Sequence, residues 1–491
     1  MRKRLYRQGL AGLMAVFLAG CALGPDYQEP EFDLPEELPD HVLLSEAERE
    51  EWEDWWTRFD DPTLNSLVNR AMDQNLDIRL RTQQIQEARA RLGLAEANRL
   101  PSLDAQAEAT RESASERATL QPVSDDPQNL YSLSGQLGYE IDLWGRLARS
   151  EEAAEAILSE SVFSHDAIQL ATITDVVTTY TNLRAAQREV AILERTIESR
   201  EETLELEELR FESGETDALT LRQAESELAT TRARLPAARE RVRTLQSALA
   251  VLVGMSPREL MTELKFGPGE LTDLDLPSNI PRVLPSDLLN RRPDLRASEA
   301  ALMASTAEIG VAQAERLPQL NLSSFLGSTS IEFADLLTAP ATTWGLGASV
   351  VGPIIDFGRG AARVDTAEAL RDQAETRYRM TVLTAFREVR DALAIYETSA
   401  QRVESVRRQV EAVEDTARLA RLRYDEGFVG FIEVLDAERN LLEAELALAD
   451  AMRTRLNATA SLFKALGGGW EEDLSPLAAS GEADWLVRPV Y

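Results

Sequence analysis

Hydrophobic and polar positions follow two different periods along this chain, and each period predicts a different kind of element. Residues 221–252 and 434–465 place apolar or small side chains at alternating spacings of three and four. This is the heptad pattern of coiled-coil helices. The first seam consists of Leu221, Ala224, Leu228, Thr231, Leu235, Ala238, Val242, Leu245, Leu249 and Leu252. A longer segment, from Gly145 to Phe211, has no proline and predicts one very long helix, whereas Pro236 predicts a kink within the shorter one.

Four other segments alternate with period two, which is typical of strands. They cover about 102–112, 130–142, 319–330 and 343–356. In the second of them, Tyr131, Leu133 and Leu137 alternate with polar residues such as Ser132 and Gln136. The sequence therefore predicts two hairpins, each with one apolar and one polar face.

The chain also repeats itself. Residues 75–103 align with 292–320, and ten of these 29 positions are identical. Arg210 and Gly214 recur 213 positions later as Arg423 and Gly427. We therefore interpret residues 61–275 and 276–470 as two copies of one unit, each with a helix, a hairpin, a long helix, a turn and a second long helix. Residues 21–60 form an extended N-terminal segment, and 471–491 form a C-terminal tail.

The first 20 residues predict a signal peptide. Basic residues precede a short apolar run at 9–20, which ends in Leu-Ala-Gly-Cys. Cys21 is the only cysteine of the chain. Its position resembles that of a lipidated cysteine in a bacterial lipobox, and the plainer alternative is a buried free cysteine. Ala22 follows it, which favours the outer membrane over the inner one.

Composition excludes some functions. The chain has 84 acidic and 52 basic residues and a net charge of −32. Nucleic acid is therefore not an expected partner, because binding it requires basic patches. The two histidines, His41 and His165, are far apart in sequence, and no motif for a metal, a phosphate or a nucleophile stands out. We expect no enzyme, no metal and no cofactor apart from a covalent lipid at Cys21.

The strands decide how the chain could cross a membrane. No helical stretch after residue 23 is apolar for 18 residues, so a membrane crossing would fall to the hairpins. Four strands cannot close a barrel with a lumen, whereas three chains would supply 12. The long helices would then continue the tube, and the turns near 214 and 427 would lie at its far tip.

The stretches LAGC, RRPDLRASEAAL, AERLPQL and YDEGFVGFIEVLDAER resemble those of the TolC family, in its lipoprotein OprM/NodT-like branch. The resemblance covers nearly all of 21–470. It implies a homotrimer with a 12-stranded outer-membrane β-barrel continued by a long α-helical barrel in the periplasm. It also implies the function of an exit duct for efflux, anchored in outer-membrane lipid and joined to a periplasmic adaptor and an inner-membrane pump of the RND type.

The resemblance further implies a set of site residues. Glu433 and Asp436 correspond to an acidic pair that lines the closed tip, and Tyr424 corresponds to a gating tyrosine. The ionic latch of some members falls on Val429 and Thr220 here, so that latch is missing. The turns expected to contact the adaptor contain Arg210, Phe211, Gly214, Arg423 and Gly427. The plain alternative for Glu433 and Asp436 is that they are solvated helix acids.

Two other functions stay open at this point. The exit duct of type I protein secretion would have the same architecture. A pore-less structural envelope lipoprotein is a further alternative, although such a tether needs no strands with one lipid-compatible face.

Overall fold

A computed structural model of the chain describes residues 22–34, 54–113, 127–262, 264–266, 270–274 and 285–468. The first repeat contains α1 (Pro62–Gln74), α2 (Leu76–Asn98), β1 (Ser102–Glu112), β2 (Gln128–Ile141), α3 (Arg146–Glu212) and α4 (Ala218–Leu252). The short α5 (Pro257–Leu260) is the last helix of that repeat with α-helical geometry. The second repeat contains α6 (Pro285–Arg291), α7 (Pro293–Ala314), β3 (Gln319–Ser330), β4 (Thr342–Val351), α8 (Arg359–Asp425) and α9 (Phe431–Ala465).

The two longest helices of one repeat match those of the other in length. Helices α3 and α8 have 67 residues each, and α4 and α9 have 35 each. At about 1.5 Å per residue, the longer pair extends roughly 100 Å. None of the helices in the described part of the chain is both long and apolar enough to cross a membrane.

The four strands form one antiparallel sheet in the order β1-β2-β3-β4. The β2–β3 pairing joins the two repeats, with Tyr139 opposite Leu322. Because neighbours across an antiparallel pair point to the same side, the register gives one face of mostly apolar and small residues. Its apolar members include Leu103, Ala105, Ala107, Ala109, Tyr131, Leu133, Leu137, Tyr139, Leu320, Leu322, Leu326, Trp344, Leu346, Ala348 and Val350. The other face is polar, with Gln106, Ser134, Gln136, Asn321 and Ser349 among its members. We call them the apolar face and the polar face.

The last strand is shorter than the sequence predicted. The pattern at 343–356 indicated a strand to residue 356, but β4 ends at Val351. Gly352 lies close to Pro318, where a Cβ atom would come within 2.8 Å of the Pro318 Cα, and the next residue, Pro353, has no N–H for a ladder. Asp356 instead accepts backbone hydrogen bonds of 3.0 and 2.8 Å from Gly358 and Gly360, which begins α8.

Long-range packing holds the helices together. Helix α3 packs against α2, α4, α7 and α9. The seam residues predicted in α4 and α9 are buried or half-buried, which agrees with coiled-coil contacts. Helix α4 continues through Pro236, and a kink there stays a prediction. The short 3-10 turn Trp55–Phe59 packs onto this body, since Trp55 is buried and its ring stacks on Phe463 with 5.0 Å between ring centres.

Residues 22–34 begin at the junction between the sheet and the helices and continue along α7 and α8. The Leu23 N–H donates to the Trp144 carbonyl at 3.1 Å, and the buried Arg149 guanidinium bonds to Asp26 at 2.6 Å. Further along, the Tyr27 hydroxyl donates to Glu299 at 2.8 Å. Cys21, the signal peptide, His41 and the 471–491 tail lie outside the described residues.

Candidate functional site

Two turns connect the long helices, α3 to α4 and α8 to α9, at the end of the molecule opposite to the sheet. We call residues 213–217 the first turn and residues 426–430 the second turn. Gly214 and Gly427 adopt φ values of 78° and 77°, the left-handed region that glycine tolerates best. In each turn, the N–H after the glycine bonds back to an arginine carbonyl at 2.8 Å, from Glu215 to Arg210 and from Phe428 to Arg423. Both helices thus end in a Schellman motif.

Tyr424 joins the second turn to the first repeat. Its hydroxyl donates to Glu207 Oε2 at 2.9 Å, and its ring packs against Phe431 at 5.4 Å. Glu207 is fully buried. Burial and the hydrogen bond to Glu207 raise the pKa of Tyr424, so the phenol stays a neutral donor. The family resemblance predicted a role for this tyrosine, whereas only the structure reveals its hydrogen-bond partner, Glu207.

Arg210 belongs to the same contact. Its guanidinium bonds to Glu207 at 3.1 Å and to Asp425 at 3.4 Å, and it lies 5.1 Å from the centre of the Tyr424 ring. Its side chain is 23% exposed. Arg210 is thus largely committed to contacts within the chain. The tip presents Phe211, Gly214, Arg423 and Gly427 to solvent instead.

The acidic pair lies at the start of α9. Glu433 and Asp436 are both exposed and lie three residues apart, hence on one face of the helix. Asp436 accepts a 3.2 Å bond from Arg439, and the two acids therefore differ in their surroundings. Glu433 stands in the first helical turn, where the helix dipole favours negative charge.

Arg439 connects Asp436 to a buried charge network. Its guanidinium binds Glu227 of α4, with Nε 2.9 Å from Oε1. Glu227 is buried and also lies 3.2 Å from Arg200 of α3. The hydrogen bond from Arg439 lowers the pKa of Glu227. Arg200 and Glu227 are the buried members of this network, and their opposite charges make their shared burial tolerable.

Arg421 makes two further contacts, which lie between the Tyr424 contact and the Arg439 network. Arg421 of α8 donates to the Thr203 hydroxyl at 3.0 Å and lies 3.4 Å from Glu438. Burial raises the pKa of Glu438. At the two positions of the missing latch, Thr220 bonds to Asp217 within its own turn, and Val429 carries no charge. This chain therefore ties its turns together through other residues.

The network follows a pattern that the sequence contains. Arg200, Thr203, Glu207 and Arg210 recur at spacings of three and four along α3, and the first three are buried. They form a polar continuation of a coiled-coil seam. That spacing was the available signal for Glu207 and Arg200. Nothing comparable marks Glu227 or Arg439 among the many charged residues of these helices.

Among the residues that the structure describes, no group of three or more histidine, cysteine, aspartate or glutamate side chains could hold a metal ion. His165 lies beside Asp166, with 3.1 Å between Nδ1 and Oδ1.

A sheet with one apolar and one polar face, continued by paired helices of roughly 100 Å, defines a subunit of an outer-membrane channel. The chain belongs to the outer membrane efflux protein family, whose model matches residues 67–255 and 284–468. Its membrane is the outer membrane, and its role is that of the exit duct in a tripartite efflux system, together with a periplasmic adaptor and an inner-membrane pump. The family is one of transport ducts.

Individual relatives agree with this assignment. The chain is 30% identical over 474 residues to the probable outer membrane lipoprotein SilC of Salmonella typhimurium, covering 95% of this chain and 100% of that protein. It is 31% identical to the solvent efflux pump outer membrane protein SrpC of Pseudomonas putida, covering 93% of this chain and 97% of that protein. The solved structure of the outer-membrane channel OprN is 31% identical and superposes with a TM-score of 0.82, covering 92% of this chain and 100% of that one.

Proposed function

We propose that three copies of this chain form one efflux duct, and that the second turn is its periplasmic gate. In this assembly the sheets close into a 12-stranded barrel in the outer membrane, and the long helices line a tube in the periplasm. The tip joins a periplasmic adaptor and an inner-membrane pump of the RND type. The observation that supports the assembly is the unequal burial of equivalent positions in the two repeats.

Position 170 of α3 and its equivalent in α8, 213 residues later, carry the same residue type in opposite surroundings. Leu170 is 5% exposed, and its helix α3 packs against helices of both repeats. Leu383 is 71% exposed. Because the equivalent Leu170 is buried in the duplicated unit, we expect Leu383 to be covered by another protein surface as well. The first repeat of a neighbouring chain supplies the equivalent cover.

The junctions with the sheet show the same inequality. Gly145 is buried against Ala22, whereas its equivalent Gly358 is exposed, and a Cβ atom added there would meet no atom within 4 Å. Trp144 Nε1 donates to the Pro318 carbonyl at 2.8 Å, whereas the equivalent Phe357 is exposed. The junction at Phe357 and Gly358 thus lacks the cover that the equivalent junction at Trp144 and Gly145 has. In the trimer, a neighbouring chain supplies that cover.

The sheet edges support the same closure. Within the described sheet, β1 and β4 are the two edges, and each exposes a row of backbone groups to pairing. Pairing β1 of one chain with β4 of the next closes the barrel at 12 strands. The apolar face then meets lipid, and the polar face lines the lumen.

For the gate, we assign Glu433 and Asp436 to the constriction and Tyr424 to the contact that holds it closed. Threefold symmetry brings three copies of each acid around the axis, where they attract cations. The hydrogen bond between Tyr424 and Glu207 ties the second turn to the first repeat. Opening requires this bond to break.

For the adaptor, we assign the surface around Phe211, Gly214, Arg423 and Gly427, with the backbone near Arg210. Phe211 and Phe428 are exposed at the two turns, where apolar side chains suit a protein partner.

For the anchor, we assign covalent acylation to Cys21. In Cys21→Ser, intact mass should decrease by the acyl chains, and retention of the acylated mass would contradict the assignment.

The assembly is tested by Leu383→Glu, with Leu422→Glu as the matched control. Leu422 and its equivalent Leu209 are both exposed, so neither repeat covers that position. Light scattering of the protein in detergent should give a trimer for the wild type and for Leu422→Glu. Leu383→Glu should dissociate, because a charge is costly in an apolar interface. A wild-type monomer, or an intact Leu383→Glu trimer, would contradict the proposed packing.

A further inference from the structure

The loop between β3 and β4 folds over the apolar face of the sheet. Residues 331–341 contain two short 3-10 turns, Phe333–Asp335 and Ala339–Ala341. The Phe333 ring packs edge-on against Tyr131 of β2, with 5.5 Å between ring centres. Because Tyr131 belongs to the apolar face, the loop leans to the side of the sheet that meets lipid rather than across the lumen.

The loop and the sheet enclose a groove of about 600 Å³. Its apolar walls are Ala107 and Ala109 of β1, Tyr131 and Leu133 of β2, and Phe333 and Leu337 of the loop. The two alanines keep the floor low, and the loop leaves the groove open at its side. The loop itself exposes Ile331, Phe333 and Leu337, which water solvates poorly.

The groove lies at the outer end of the sheet. The helices extend from the opposite end, where the periplasm lies, so the β3–β4 loop is at the extracellular rim. Tyr131 and Tyr139 on β2 mark the two ends of a band of about 27 Å at about 3.4 Å per residue. Aromatic residues border the apolar band of outer-membrane barrels at such positions. The groove is therefore continuous with the lipid-facing surface of the outer leaflet.

A basic residue stands directly above the groove. Arg111 is two positions beyond Ala109 on β1, hence on the same face, and it is exposed. A long arginine side chain at the border of an apolar band places its guanidinium at the level of lipid headgroups. Phosphate is a ligand that its planar donor geometry suits.

We infer that this groove binds one acyl chain of an anionic outer-leaflet lipid, with the phosphate of that lipid at Arg111. The inference rests on the proposed orientation of the apolar face toward lipid. It assigns the β3–β4 loop a binding role at the barrel surface that is separate from the duct and its gate.

The test uses the full-length protein in nanodiscs that contain one of two photoreactive lipids. Both carry a diazirine at the same acyl position, and one is a phosphatidylglycerol and the other a phosphatidylcholine. We expect the anionic probe to label the peptides around Ala109 and Phe333 several-fold more than those of β4. Ala109→Trp fills the groove and should lower this labelling about tenfold, a difference of one decade in affinity. Ala348→Trp, on the apolar face outside the groove, should leave it unchanged.

Two further variants separate the parts of the site. Arg111→Gln should lower labelling by the phosphatidylglycerol probe more than labelling by the phosphatidylcholine probe, because choline already neutralises the phosphate charge of the latter. Leu337→Ser is a second test of the groove, in case Ala109→Trp folds poorly. It changes only the exposed loop and should also lower the labelling by the phosphatidylglycerol probe. Equal labelling of all four strands that neither Ala109→Trp nor Leu337→Ser changes would overturn the site and indicate general lipid contact. Absence of lipid labelling at the groove would show that protein fills it.

Native mass of the same samples distinguishes this inference from the assembly proposal. A trimer without preferential labelling contradicts the groove alone. Loss of the trimer in the wild type contradicts the orientation on which the groove rests.

Discussion

Tyr424 and Glu207 connect the two repeats through a 2.9 Å hydrogen bond between a neutral phenol and a fully buried carboxyl group. The equivalent of Tyr424 in the first turn is Phe211, which has no hydroxyl, and the equivalent of Glu207 in α8 is Ala420. The duplicated turns therefore share a backbone but not this contact. In the proposed gate, this bond has to break before the second turn can move away from the first repeat.

Tyr424→Phe should favour the open state of the duct. It removes the hydroxyl and leaves Glu207 bonded to Arg210 alone. The loss of a hydrogen bond to a charged acceptor amounts to about 1.5 kcal/mol, hence roughly tenfold in the open fraction. Planar-bilayer recordings would report this as higher conductance. Tyr396→Phe, on the same helix but far from the turn, is the control, and conductance equal to the wild type in both variants would refute the role of the bond.

Glu433→Gln should reduce cation selectivity more than Asp436→Asn does. Each substitution removes three charges from the trimer, but Asp436 already lies 3.2 Å from Arg439, so part of its field is cancelled. Reversal potentials in a gradient of dilute salt measure the selectivity. At 1 M salt the screening length falls to about 3 Å, and the difference between the variants should disappear. Unchanged selectivity in both variants would place the constriction elsewhere.

Acid should weaken the contact between Glu227 and Arg439. The pKa of Glu227 is lowered in the folded chain by the hydrogen bond from Arg439. Such a carboxyl adds stability above its unfolded pKa of about 4.3 and loses it as the pH falls through the lowered value. Wild type should therefore melt at a higher temperature than Glu227→Gln near pH 6.5, and the difference should shrink below about pH 4.

The matched variant for this experiment is Glu225→Gln. Glu225 pairs with Arg222 on the exposed side of α4, where an ion pair contributes little. Its melting temperature should follow that of the wild type at every pH. A gap between Glu227→Gln and the wild type that is independent of pH would indicate lost packing rather than lost charge.

Gly427→Ala should damage the tip, and Gly430→Ala should not. Gly427 has a φ of 77°, where an alanine Cβ costs about 1 kcal/mol. Gly430 has a φ of −83°, and a Cβ there would meet no atom within 4 Å. Thermal unfolding and binding of the purified adaptor are the measurements. We expect a lower melting temperature and weaker binding only for Gly427→Ala. Equal behaviour of the two variants would contradict the requirement for glycine at position 427.

Much of the fold could be predicted from local pattern. The period-two segments placed β1 and β3 correctly, because each strand has one apolar face, and the heptad seams placed α4 and α9. The end of β4 was missed by five residues, because Ile354 and Ile355 continue the apolar pattern past Pro353, which the ladder cannot accommodate. The break between α1 and α2 was also missed. Asn75 caps α2 there, and its amide donates to the Leu252 carbonyl at 2.8 Å, a partner far away in sequence.

The candidate site divides in the same way. The sequence by itself determined the two turns, since Gly214 and Gly427 end their helices by a local backbone requirement. The roles of Tyr424, Glu433 and Asp436 at a gate stay predictions that rest on the family resemblance. Only the tertiary structure decided that Tyr424 meets Glu207 and that Arg439 joins Asp436 to Glu227. Those pairings depend on the rotation and stagger of long helices against one another, and many arginines and glutamates along them are equally compatible with the sequence pattern. Local periodicity fixes which face of a helix is buried, whereas packing fixes which buried charges meet.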